Sequence, residues 1–127
     1  VAVVASSVFA DTPRRVAAEF MVALARGDAN RLAQLSFIEG VSEQELAERW
    51  KYTVEIGRHY RFRYTIKSVT TSDTEENVAS AEVLMVRNSD STSPYEEIYG
   101  LPLEKVDGVW KIDLAGIDRR IYPAMPR

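Results

Sequence analysis

The stretch DTPRRVAAEFMVALARGD, residues 11–28, predicts an amphipathic helix with a marked beginning and end. Its apolar face, at positions i, i+4, i+7 and i+8, consists of Val16, Phe20, Ala23 and Leu24. Thr12 can cap the first turn, and Pro13 stands at the first helical position, where a missing N–H costs nothing. Arg26 complements the negative end of the helix dipole, and Gly27 permits a left-handed stop. The chain therefore opens with a helix whose apolar face needs a second layer to cover it.

Two further helices are predicted downstream. Asp28 can cap a short helix over residues 28–36. Ser42 opens a capping box in which its hydroxyl accepts the Glu45 N–H while the Glu45 carboxylate reaches back, and that helix runs to about Ile56. The inward positions of the two helices are Leu32 and Leu35 in the first, and Leu46, Trp50 and Val54 in the second.

Period-two patterns then predict four strands over residues 60–67, 78–87, 95–106 and 109–114. Gly100 and Pro102 interrupt the third strand and predict a bulge or an edge there. Asp107 and Gly108 form a tight hairpin signal before the fourth strand. Helices followed by antiparallel strands predict an α+β domain, with N-terminal helices packed on a curved antiparallel sheet of about four strands.

Length and composition limit the possible classes of protein. The 127 residues suit one domain over residues 11–127, ending in an extended C-terminal tail. A hydrophobic content of 46% with 28% charged residues is typical of a soluble globular chain. The net charge of −3 gives no global attraction to nucleic acid, and the absence of cysteine excludes disulfides and thiolate sites.

The first ten residues, VAVVASSVFA, form an apolar extension that is too short to span a bilayer alone. It is interpreted as an export-signal or anchor remnant, as a packing arm, or as an addition foreign to the domain. The tail, residues 115–127, is apolar and proline-rich, and is either packed on the domain or a docking arm. The predicted partner-binding residues at the two ends are Val1, Val3, Val4, Val8, Phe9, Tyr122, Pro123 and Met125.

Two segments carry a resemblance to a known fold. They are TPRRVAAEFMVALARGDANRLAQL at the start and LEKVDGVWKIDL near the end. The order of a hydrophobic helix, Gly-Asp, a second helix, a capped third helix and a four-strand meander resembles the nuclear transport factor 2-like (NTF2-like, cystatin-like) fold, of the SnoaL-like or envelope-associated kind. The resemblance covers roughly residues 12–114. It implies a cone-shaped domain but no single activity, because this fold hosts isomerases, dehydratases, hydrolases, transport factors and domains with no known ligand.

The resemblance to ketosteroid-isomerase-like and SnoaL-like members implies, for an enzyme, a carboxylate base and an acidic donor inside the cone. The pocket candidates are Glu82, Glu97 and Tyr64. Glu82 is interpreted either as a pocket acid or, more ordinarily, as a solvated residue paired across strands. No set of these residues matches a catalytic motif position by position, so no catalytic residue is assigned.

The remaining polar residues indicate neither a metal site nor a nucleic-acid interface. His59 is the only histidine, so a metal site is not expected, and no cofactor-binding motif is present. Arginines alternate with aromatics over residues 58–64, which sends the aromatics toward the core and the arginines to the sheet surface.

The sequence thus predicts a non-catalytic interaction or scaffold domain in a membrane-associated or extracytoplasmic assembly, with a protein partner or a second copy as ligand. A cytoplasmic location stays open. The alternative is a small-molecule enzyme or binder that uses the cone.

Overall fold

The structure is a computed structural model and describes residues 12–87 and 95–127. Its elements in chain order are α1 Pro13–Arg26, α2 Ala29–Leu35, β1 Ser36–Phe37, α3 Glu43–Ile56, β2 Phe62–Thr71, β3 Val78–Arg87, β4 Tyr95–Val106, β5 Val109–Asp113 and a 3₁₀ turn Arg119–Ile121. The helices cover one face of the sheet, and the core lies between the two layers. The predicted α+β class is confirmed.

Helix α1 begins and ends where its sequence predicts. The Thr12 hydroxyl accepts the Arg15 N–H, and Gly27 adopts a left-handed φ of 70°. The whole predicted apolar face is buried, together with Ala17 and Met21. The T-shaped contact of Phe20 with Trp50 of α3, at 5.9 Å between ring centroids, joins the first and third helices across the core.

A buried hydrogen-bond chain joins α3 to the end of α2. The Trp50 indole N–H donates to the Ser36 hydroxyl at 3.0 Å, and that hydroxyl donates to the Leu32 carbonyl at 2.6 Å. The Ser42 cap forms, because its hydroxyl accepts the Glu45 N–H at 3.1 Å. The reciprocal half of the predicted capping box is wrong: the Glu45 carboxylate lies 3.3 Å from Arg49, one turn onward.

The sheet has five strands in the order β1-β5-β4-β3-β2. Strands β2 to β5 form the predicted antiparallel meander. The fifth strand, β1, pairs in parallel with β5 through Ser36 and Phe37, so the sheet is mixed rather than purely antiparallel. A two-residue strand is too short for a period-two pattern, and its sequence reads as the end of α2.

Of the predicted bulge or edge in β4, the bulge is wrong, because β3 and β4 pair without a register shift from Val78↔Glu104 to Arg87↔Tyr95. The edge is found locally, because β4 has no β5 partner before Leu103. The Lys105 N–H donates to the Asn77 carbonyl, on the side of β4 that faces β3. Because backbone N–H groups alternate between the two sides of a strand, the nitrogen of Pro102 faces β5. The pairing of β4 with β5 begins only at Leu103, so that nitrogen has no partner to bond. No ladder bond is lost there. The register shift lies in β2 instead, between Ile66 and Ser68.

The C-terminal residues fold back onto the domain instead of extending from it. The 3₁₀ turn follows β5, and Ile117, Ile121 and Met125 are buried in the core. The Thr53 hydroxyl donates to the Ala124 carbonyl at 2.5 Å, which attaches the tail to α3. The alternative of a packed tail, rather than an extended arm, is therefore the one that the structure adopts.

The first testable prediction concerns the contact between α3 and the tail. A Cβ at Gly57 would overlap the phenol ring of Tyr122. We expect Gly57→Ala to lower the free energy of unfolding by about 1–3 kcal/mol, the usual cost of overpacking. Urea unfolding measures the loss. Gly100→Ala is the matched control, because a Cβ there meets nothing closer than the Ser80 hydroxyl at 3.9 Å. Equal effects of the two substitutions would contradict the contact.

Candidate functional site

The concave face of the sheet presents rows of side chains from neighbouring strands. One row runs Phe62, Arg87, Tyr95 and the next runs Tyr64, Met85, Glu97. Both rows lie at the end of the sheet where β2 begins and β3 ends. The predicted pocket residues Tyr64 and Glu97 therefore share a row, with Met85 between them.

Arg87 is the charged centre of this end of the cone. It is only 8% exposed, although guanidinium groups are rarely buried without partners. Its Nε lies 2.6 Å from Oε1 of Glu97, but the N–H does not point at that oxygen, so the contact is an ion pair rather than a hydrogen bond. Its Nη2 donates to the Tyr99 hydroxyl at 3.1 Å and to the backbone carbonyls of Arg120 and Ile121. One side chain thus joins β3, β4 and the tail.

The electrostatics make Glu97 a weak base. The Tyr99 hydroxyl donates to the carboxylate and Arg87 lies beside it, and both lower the pKa of Glu97. Burial, followed by the same hydrogen bond, raises the pKa of Tyr99, which stays a neutral donor. General base catalysis near neutral pH needs a carboxyl whose pKa is raised toward the working pH. The cluster therefore favours a structural ion pair over a proton-transfer pair.

The tail occupies the mouth of the cone. The Tyr122 ring packs edge-on against Tyr60 at 5.4 Å and against Phe62 at 6.5 Å between centroids. Tyr122 is only 3% exposed. Arg119 donates to the carbonyls of Met125 and Pro126 and so fixes the turn that follows. Tyr122 thus forms one aromatic cluster with Tyr60 and Phe62 at this end of the sheet.

The other pocket candidate lies elsewhere. Glu82 is exposed on the outer face of the sheet, opposite Ser68 and Gly100 in register. The structure therefore does not bring Glu82 together with Tyr64 and Glu97. Asp113 accepts the Ala115 N–H at 3.0 Å and so stabilises the turn after β5.

Sequence reasoning missed Arg87 altogether. The signal was present, because Arg87 continues the alternation of the buried residues Ala79, Ala81, Val83 and Met85 along β3. A charged residue at a core-facing position predicts a buried partner. Its partners in the tail are more than thirty residues away in sequence, so the pattern could not identify them.

The predicted partner-binding residues have different positions. Tyr122 and Met125 are buried within this chain, and Pro123 is half-buried beside them. Those predicted at the N-terminus, Val1, Val3, Val4, Val8 and Phe9, lie outside the described residues. Their role in partner binding stays a prediction.

Residues 12–87 and 95–127 contain neither a clustered metal site nor a helix that could span a membrane. This part of the chain holds no group of three or more His, Asp or Glu side chains suited to a metal ion. Its helices are all too short or too polar to cross a membrane. His59 is exposed in the connection between α3 and β2.

The outer face of the sheet carries an apolar patch. Ile98 of β4 is 58% exposed and stands directly opposite the half-buried Leu84 of β3. Val86 lies one row away, flanked in register by Arg63 on β2 and Glu96 on β4. We call this set the outer patch: Arg63, Leu84, Val86, Glu96 and Ile98.

Comparison with solved structures identifies the architecture. A candidate NTF2-like transpeptidase from Campylobacter jejuni superposes with a TM-score of 0.58 at 19% identity, over 81% of this chain and 98% of that one. A domain of unknown function with a cystatin-like fold from Nostoc punctiforme gives 0.54 at 16% identity, over 78% and 69%. The fold is NTF2-like. A candidate dehydratase of the NTF2-like family from Streptomyces avermitilis gives 0.51 at 13% identity, over 76% and 85%. At these identities the likeness defines the fold alone.

No protein-family model and no curated protein matches the chain by sequence. The predicted NTF2-like resemblance is confirmed as a fold. The solved NTF2-like proteins include both candidate enzymes and proteins of unknown function, so the fold does not choose between the two predicted roles.

The second testable prediction concerns the pH dependence of stability. Hydrogen bonds from Arg120 lower the pKa of Asp118 from 3.8 to about 2. A carboxyl with a lowered folded-state pKa stabilises above its unfolded pKa and loses that stabilisation as the pH falls through its folded pKa. We expect Asp118→Asn to be less stable than the wild type at pH 6, with the gap closing between pH 3.8 and about 2. Thermal unfolding across that range measures it. Asp73→Asn, in the exposed β2–β3 turn, is the control, and a gap that persists at pH 2 would contradict the assignment.

Proposed function

We propose that the protein is a non-catalytic interaction domain that pairs with a second copy of itself through the outer patch. The observation that carries the proposal is Ile98, which is 58% exposed beside Leu84 on a strand in the middle of the sheet. Exposed apolar side chains that form a contiguous patch mark interaction sites, whereas single exposed ones are ordinary.

The charges around the patch support a second copy as the occupant. Arg63, Val86 and Glu96 form one row across the outer face, basic at β2 and acidic at β4. A two-fold axis parallel to the strands and above β3 would set Arg63 of each copy opposite Glu96 of the other. A symmetric interface must be self-complementary, and this row meets that condition.

The concave face supports the non-catalytic part of the proposal. Its carboxylate, Glu97, is engaged by Arg87 and Tyr99, and its mouth holds Tyr122. An acid–base enzyme needs a poised carboxyl with access to substrate. Glu97 does not meet the first condition, because its pKa is lowered rather than raised.

We also propose that residues 1–10 attach this domain to a larger membrane-associated or extracytoplasmic assembly. Their apolar composition supports the proposal. Apolar segments of this length bind marginally by themselves and act with a second contact.

A small-molecule enzyme or binder is the second candidate function. The observation in its favour is the row that places Tyr64 and Glu97 on the same concave face. Saturable binding of an apolar ligand that is lost in Glu97→Gln or Tyr64→Phe, but kept in Glu82→Gln on the outer face, would support this candidate.

The third testable prediction concerns the outer patch. We expect the wild-type domain to sediment as a dimer and Ile98→Glu to sediment as a monomer, because burying a carboxylate among apolar side chains costs several kcal/mol. Analytical ultracentrifugation measures the mass. Val109→Glu is the matched control, since Val109 is similarly exposed, at 46%, but lies in β5, away from the patch.

The same experiment can contradict the proposal. A monomeric wild type, or a dimer that survives Ile98→Glu with an unchanged dissociation constant, would exclude the outer patch as a self-association surface. A dimer that separates equally in Val109→Glu would place the interface elsewhere.

The fourth testable prediction concerns the N-terminal segment. The described residues form a continuous core among themselves, so we expect deletion of residues 1–10 to leave the urea midpoint unchanged. We expect the truncated chain to leave the detergent-solubilised assembly in which the full chain migrates. Size fractionation with mass spectrometry follows both chains. A full chain that migrates as a free monomer or dimer would contradict the attachment role.

A further inference from the structure

A cleft of about 270 Å³ opens where α1 and α3 end and β2 approaches. It lies on the helix side of the protein, so it shares no residue with the outer patch. Leu24 and Val54 form its apolar floor, and the rings of Tyr60 and Tyr122 form a wall. Its volume is just below the range of about 300–1,000 Å³ usual for ligand pockets, which limits an occupant to a small molecule.

The rim of the cleft is basic. Arg26, Arg58 and Arg61 line it, and no carboxylate does within the described part of the chain. Arg26 has no ion-pair or side-chain hydrogen-bond partner in residues 12–87 and 95–127, and Arg61 donates only to the carbonyl of Arg58. The Arg58 guanidinium contacts Glu55 at 3.0 Å, in a pair with both side chains largely exposed. The rim therefore has more positive charge than the protein neutralises.

The backbone carbonyls at the helix ends do not act as hydrogen-bond acceptors for the rim arginines. The Ala23 and Leu24 carbonyls already accept the N–H groups of Asp28 and Gly27, and the Thr53 carbonyl accepts that of Gly57. Arginine at a helix C-terminus has an ordinary role against the dipole, and Arg26 fits that role. Arg58 and Arg61 follow α3 and lie outside both helices, so the dipole does not account for them.

The wall of the cleft is aromatic. The Tyr60 hydroxyl itself is buried and has no hydrogen-bond partner among the described residues, so the ring of Tyr60 rather than its oxygen faces the cleft. Tyr122, whose ring closes against Gly57, adds a second phenol to the same wall.

We propose that this cleft binds a small organic anion, a carboxylate or phosphate monoester that carries a short apolar group. The anionic group would be held by Arg26 and Arg61, whose guanidinium forks match the oxygens of carboxylates and phosphates. The apolar group would lie on Leu24 and Val54 between the helix ends. The site would lie beside the mouth of the cone and share Tyr60 and Tyr122 with it.

The fifth testable prediction uses phenyl phosphate as the probe. We expect saturable shifts of the Gly27 and Gly57 amide resonances, and a dissociation constant about tenfold weaker in Arg61→Gln, the loss typical of one charged hydrogen bond. Arg26→Gln should weaken binding similarly. Arg14→Gln is the matched control, because Arg14 is an exposed arginine at the other end of α1.

Three comparisons make the test decisive. Inorganic phosphate should bind more weakly than phenyl phosphate because it lacks the apolar group. Benzyl alcohol should also bind more weakly because it lacks the anionic group. Equal binding of inorganic phosphate would overturn the apolar part of the proposal, and equal loss in Arg14→Gln would overturn the site. Binding only to phosphatidylglycerol vesicles, with no shift by phenyl phosphate, would replace the small molecule with a membrane surface and overturn the proposal.

Discussion

The buried guanidinium of Arg87 is the constraint on which the open end of the cone depends. A charge at 8% exposure loses most of its hydration and is tolerated only with partners on every side. Glu97 and Tyr99 supply two of them from β4, and the backbone carbonyls of Arg120 and Ile121 supply the rest. Because two partners belong to the tail, the tail must fold back for the charge to be satisfied. Removing one side of such a pair usually costs about 3–5 kcal/mol.

This constraint has a functional consequence. Once Arg87 holds the tail, Tyr122 fills the space beside Tyr60 and Phe62, and the concave face becomes part of the core. The Tyr99 hydrogen bond and the Arg87 guanidinium lower the pKa of Glu97, so this carboxylate is held in a structural contact. We have proposed the outer patch and the arginine-rimmed cleft as the recognition surfaces of this protein.

Local signals predicted the helices and the meander well, since caps and periodicity depend on neighbouring residues. Thr12, Gly27 and Ser42 each act where their local sequence indicates. The misses came from distant partners. The short strand β1 forms because Ser36 and Phe37 pair with β5. Pro102 is tolerated within β4 because the pairing of β4 with β5 begins one residue later, at Leu103. The candidate site was only partly predictable: Glu97 and Tyr64 were identified, whereas Arg87 depends on a tail whose position no local pattern shows.

The most direct test of the central claim is amide hydrogen exchange in Arg87→Met, which keeps the side-chain bulk and removes the charge. In this variant we expect the protection of amides from exchange to fall sharply over residues 117–125 and to be retained in α1 and α3. Arg63→Met on the outer face is the matched control and should leave the tail protected. Unchanged protection of the tail in Arg87→Met would contradict the claim that this guanidinium closes the cone.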